Sequence, residues 1–79
     1  MPLVEVKVIQ GVFTSEEKRE MIHRITEAMV DIEGENLRQA TTVIVEEVLS
    51  GDWGIGGNAL TTADVQALQG RPTASVVAG

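Results

Sequence analysis

Proline stands directly after the initiator methionine, and no other residue of this chain has such distinctive chemistry available to it. If Met1 is removed, Pro2 becomes a secondary amine at the start of the chain, a group that no internal residue offers. An α-amino group titrates at about 7.7–8.0, and burial lowers that value because desolvation disfavours the charged form. Such an amine suits general-base work near neutral pH, iminium formation with a carbonyl, or attack on an activated substrate. With Met1 in place the same nitrogen is a tertiary amide without basicity.

The remaining candidates carry less. The one tryptophan, Trp53, lies in the stretch GDWGIGG, residues 51–57. Gly54-Ile55-Gly56-Gly57-Asn58-Ala59 fits the loose G-x-G-x-x-G/A dinucleotide pattern, but the acidic residue and following strand that a nucleotide fold needs further on are missing. These glycines read as a corner with positive φ. A large aromatic beside such a corner either plugs an interface or lines a pocket. His23, between Ile22 and Arg24 on a polar flank, reads as a surface residue. Glu46 and Glu47 are strand neighbours, so they point to opposite faces and do not act as a pair. The chain has no cysteine and one histidine, which excludes disulfides, a thiolate site and a metal site built on histidines. No metal and no cofactor is expected.

Positioning these residues falls to a short run of elements. LVEVKVI, 3–9, alternates, with Val4, Val6 and Val8 on one face, and reads as a β-strand. Thr14 and Glu17 form a capping box, and Met21, Ile22, Ile25, Ala28, Met29 and Ile32 recur at steps of three and four, which predicts an amphipathic helix ending at Gly34. ENLRQA is a connection. TTVIVEEV, 41–48, is β-branched and apolar, a second strand, ended by Ser50-Gly51. LTTADVQALQ, 60–69, predicts a short helix capped by Thr61 or Thr62. Residues 1–69 then form one domain, and 70–79 a small-residue tail, loose or draped over a neighbour.

Strand, long helix, strand is a right-handed crossover between parallel strands. Two parallel strands alone leave open edges and a bare face, so other copies of the chain are expected to complete the sheet. Length points the same way: 79 residues with 43% apolar content make one domain that is marginal as a monomer. The net charge of −6 makes nucleic acid and anionic membranes poor partners. The start of the chain lacks the pattern of a signal peptide, and no apolar run has the length of a membrane span, so a soluble cytoplasmic protein is expected.

Taken together, PLVEVKVIQG, TSEEKREMI, TVIVEE and above all GDWGIGG resemble the 4-oxalocrotonate tautomerase family from Pro2 to about Leu60. The resemblance implies an isomerase whose mature chain begins with proline, the general base for keto–enol tautomerisation of a small 2-oxo or enol acid. It implies a β-α-β fold, paired into four-stranded sheets and assembled as a homohexamer. It also makes Trp53 a pocket aromatic that packs against the conjugated substrate.

The chain departs from the family at two positions. The best-studied members carry an arginine just after the glycine that ends the first strand, where this chain has Val12 and Phe13 with one residue inserted, and another at the start of the second strand, where it has Thr42. Bidentate capture of a dicarboxylate would need a different cation. Arg38 is the nearest in sequence, and Thr42 can donate a hydrogen bond in place of a charge. Two alternatives stand beside the tautomerase reading: a non-catalytic oligomer of the same fold, and hydratase- or dehalogenase-type chemistry on an unsaturated acid.

Overall fold

The alternating segment at the start of the chain forms strand β1, Leu3–Ile9, and the second β-branched run forms β2, Thr42–Val48. The two pair as a parallel sheet in a computed structural model that describes residues 1–70. Between them lies helix α1, Ser15–Glu33. The chain divides into two compact units, Met1–Lys7 with Thr14–Glu46, and Val8–Phe13 with Glu47 onward.

In the first unit a crossover helix can cover only one face of its sheet, and burial follows that constraint. Val4, Val6, Val43 and Val45 are half-buried, while Leu3, Glu5, Lys7, Thr42, Ile44 and Glu46 are exposed. On the exposed face Lys7 Nζ meets Glu46 Oε1 at 2.7 Å. Helix α1 begins at Thr14 with the capping box the sequence predicts: Thr14 Oγ1 accepts from the Glu17 N–H at 3.0 Å, and Glu17 Oε1 accepts from the Thr14 N–H at 2.9 Å. It ends at Gly34, whose φ of 103° only glycine adopts readily and whose N–H donates to the Val30 carbonyl at 2.8 Å.

Two readings of the sequence change here. ENLRQA is a 3-10 helix, Glu35–Ala40, designated α2. Ile32, expected on the covered face, is 83% exposed, whereas Val30 is buried at 6%. Glu27, Val30 and Glu33 lie three residues apart on one stripe of α1. Glu27 bonds Arg38 of α2, and Glu33 bonds Thr41 just after it. Val30 lies between those two contacts along the helix.

Among the described residues of the second unit Val8, Ile9 and Val12 are the buried apolar residues and Gln66 the buried polar one. Gln66 Nε2 donates to the Gly11 carbonyl at 3.4 Å. Helix α3, Thr62–Gln69, is capped by Thr61, in a capping box with Asp64. The Thr62 hydroxyl donates instead to the Gln10 carbonyl, and its N–H to Ser50 Oγ at 2.9 Å. Residues 71–79, nearly all of the expected tail, lie outside the described residues.

GDWGIGG is more ordered than the corner expected from its glycines. It contributes to a hairpin of β3, Trp53–Ile55, and β4, Asn58–Leu60, with Trp53 paired to Leu60 and Ile55 to Asn58. Gly56 and Gly57 form the two-residue turn at φ 58° and 84°. Positive φ at both central residues is what a type I′ hairpin turn requires. A Cβ at Gly57 would meet nothing within 4 Å, so torsion alone demands the glycine. A β-branched residue there should cost about 1–3 kcal/mol. We expect Gly57→Val to speed hydrogen exchange at the Gly51 amide, which donates to the Leu60 carbonyl at 2.9 Å, while amides of α1 keep their protection.

Candidate active site

Parallel pairing brings the beginnings of β1 and β2 to the same end of the sheet. Pro2 precedes β1 and Thr42 opens β2, and the Thr42 N–H donates to the Pro2 carbonyl at 2.9 Å. One residue earlier, the Met1 ammonium donates to the Ala40 carbonyl at 2.8 Å. Pro2 is half-buried and Met1 is 88% exposed. Two of the residues singled out in the sequence, Pro2 and Thr42, are therefore backbone neighbours. The Thr42 side chain is exposed.

Arg38, the sequence candidate for a substrate carboxylate, is engaged by carboxylates of its own unit. Its Nε donates to Glu35 Oε2 at 2.6 Å and its Nη2 to Glu35 Oε1 at 3.2 Å. Its Nη2 also donates to Glu27 Oε1 at 3.0 Å, and its Nη1 to Glu27 Oε2. These are the forked contacts a planar guanidinium makes with carboxylates. The hydrogen bonds from Arg38 hold the Glu27 and Glu35 carboxyls below the usual carboxylate range, and both carboxylates raise Arg38 in return. Next to this cluster, the Thr41 hydroxyl donates to Glu33 Oε2 and lies 2.9 Å from the Leu37 carbonyl oxygen.

The depressed carboxyls give a pH dependence of stability with a definite sign. A group whose folded value is lowered stabilises the fold fully above its unfolded value of about 4.3, and that contribution is lost as pH falls through the folded value. The urea midpoint should decline below about pH 4.5 on this account, and Arg38→Met should flatten that decline. An acid limb of unchanged steepness in Arg38→Met would assign the decline to other carboxylates.

Trp53 belongs to the second unit, where it is half-buried at the start of β3. Next to it the Asp52 N–H donates to the Leu49 carbonyl at 2.9 Å. The hairpin that carries Trp53 was missed by the sequence reading, which expected a corner; the signal that could have found it is Gly56-Gly57 between WGI and NAL. The carboxylate partners of Arg38 left a weaker trace, because Glu27 lies eleven residues before it.

A parallel β-α-β arrangement with a proline at the head of its first strand and an aromatic hairpin after its second defines a small α/β protein of a recognisable class. The chain belongs to the tautomerase family: residues 2–63 match the family described as tautomerase enzyme. It is 37% identical over 67 residues to probable tautomerase K2 of Dickeya dadantii, covering 85% of this chain and 98% of that one. It is 31% identical over 62 residues to a probable tautomerase of Helicobacter pylori, covering 76% of this chain and 90% of that one. A solved structure of a 4-oxalocrotonate tautomerase isozyme from Methylibium petroleiphilum superposes with a TM-score of 0.66 at 30% identity, covering 81% of this chain and 97% of that one. The protein is accordingly an isomerase of the tautomerase type.

Proposed function

We propose that this tautomerase, once freed of Met1, uses the Pro2 amine as the general base for keto–enol exchange in a small 2-oxo or enol acid. The Pro2 nitrogen takes the proton from the enol oxygen. The electron pair moves to form the carbonyl, the double bond shifts, and the ammonium returns the proton to carbon. No net oxidation occurs and no co-reactant is consumed. The observation that carries the reading is the bond from the Thr42 N–H to the Pro2 carbonyl, which fixes the residue that becomes the terminal amine to the sheet framework. Comparing turnover by Met1-bearing and Met1-freed protein tests it, since only the second has a basic nitrogen at Pro2.

In this reading a Trp53, of this or a neighbouring subunit, provides an apolar wall against the conjugated substrate, and Thr42 donates a hydrogen bond where relatives use charge. Arg38 is already held by Glu27 and Glu35, and a substrate carboxylate would have to displace one of them to reach it. The substrate class favoured is therefore a monocarboxylate. The assembly proposed is an oligomer, because among the described residues the sheet has two strands and exposes Leu3 and Ile44 on its uncovered face, and the resemblance to the 4-oxalocrotonate tautomerase family makes it a homohexamer. Light scattering at micromolar concentration should give several times the 8.5 kDa of one chain. A folded species of one-chain mass would overturn the assembly.

A further inference from the structure

We propose that Arg38 is a positioning residue for the reaction at Pro2: by clamping α2 onto α1, it fixes the backbone from Ala40 to Thr42 that holds the start of the chain. The proposal rests on the reading of Pro2 as the base.

The connection is short and bonded at every step. Arg38 joins Glu35, at the start of α2, to Glu27, eleven residues earlier on α1. The Thr41 N–H donates to the Arg38 carbonyl at 3.2 Å, and the Thr41 hydroxyl engages Glu33 and Leu37. Thr42 then donates to the Pro2 carbonyl, a bond that does not involve Met1. A short 3-10 helix has poor internal hydrogen-bond geometry, and α2 has no side-chain cap at its beginning. Its placement depends on contacts outside itself, and the Arg38 cluster together with Thr41 provides them. A planar fork can grip both carboxylates together, which a lysine's point charge does less well. With Glu27 and Glu35 both bonded to it, Arg38 acts on the fold rather than on a substrate carboxylate.

Kinetics of Met1-freed protein test this with two probes, the enol of phenylpyruvate as a monocarboxylate and the enol of oxaloacetate as a dicarboxylate. Arg38→Ala should lower kcat about ten- to a hundredfold for both, with KM nearly unchanged, because small misplacements of a reacting group cost rate. Glu27→Gln should act in the same direction and add little in the double variant, as members of one network do. Arg38→Lys should recover part of the loss. A KM rise confined to the dicarboxylate would overturn the proposal by making Arg38 a substrate-binding residue. Unchanged kcat with a lowered Tm would overturn it by making the clamp merely structural. If Arg38→Ala does not fold, Arg38→Lys and Glu27→Gln decide on the same criteria. Met1-bearing protein separates the two ideas: if it is as active as the freed form, the Pro2 reading fails, whereas inactive Met1-bearing protein with wild-type kcat in the clamp variants overturns the clamp alone.

Discussion

Protein that keeps Met1 is expected to turn over a 2-oxo acid enol about a hundred- to ten-thousandfold more slowly than protein freed of it, the range that a positioned general base contributes. Both forms have the same fold-determining sequence. They differ in one nitrogen: an amide in the first, an amine in the second. The Met1 ammonium does not replace it, because it lies one residue, about 3.8 Å of chain, from the required place and is bonded to the Ala40 carbonyl. Pro2→Ala should fall between the two forms, since a primary amine is still a base but lacks the ring that fixes its approach. Mass spectrometry distinguishes the fractions before the assay. Equal rates per chain in the two fractions would remove Pro2 from the reaction.

Thr42→Arg is expected to shift catalysis in two ways at once. The Thr42 N–H is on the Pro2 carbonyl, so an arginine here puts a cation close to the proposed amine. A like charge disfavours the ammonium and lowers its pKa. In the wild type that depressing influence is missing, and the ascending limb of kcat/KM should lie nearer the ordinary α-amine range of about 7.7–8.0 than in the variant. The new guanidinium also offers a fork to a second substrate carboxylate. A hydrogen bond to a charged group contributes about 1.5–3 kcal/mol, so selectivity for the oxaloacetate enol over the phenylpyruvate enol should rise about tenfold or more. A wild-type enzyme that already favours the dicarboxylate strongly would mean that a cation elsewhere in the assembly serves it.

The parallel unit was readable from local chemistry because each of its signals is confined to a few neighbours. Alternation over Leu3–Ile9, the Thr14–Glu17 box and the stop at Gly34 each depend on residues within one turn or one pleat. Between Thr61 and Thr62 the sequence left the cap of α3 open, and the structure assigns it to Thr61, leaving Thr62 free to bond Gln10 and Ser50. What the sequence concealed depends on chain that returns from further away. The apolar stripe of α1 pointed to Ile32, whereas the structure buries Val30 instead. Arg38 looked available as a cation because its partner Glu27 is separated from it by the end of a helix and a turn. The hairpin was concealed differently: its glycine pair was visible, but three-residue strands are too short to alternate convincingly. Pro2 and Thr42 come together as soon as the strands are parallel, which strand, helix and strand already implied.

Met1 projects from the molecule at 88% exposure while its ammonium rests on the Ala40 carbonyl. Anything genetically joined ahead of it extends outward from a surface position. Such a leader would leave both capping boxes, the parallel ladder and the Gly-Gly turn undisturbed, yet on the proposed mechanism it would act as a covalent inhibitor with one site of action. An affinity tag at this end would yield well-folded protein that assays as inert, and its proteolytic release would restore function only if cleavage left proline as the first residue. Folding and function are thus gated by different bonds, and a purification strategy chosen for convenience can decide which of them is observed.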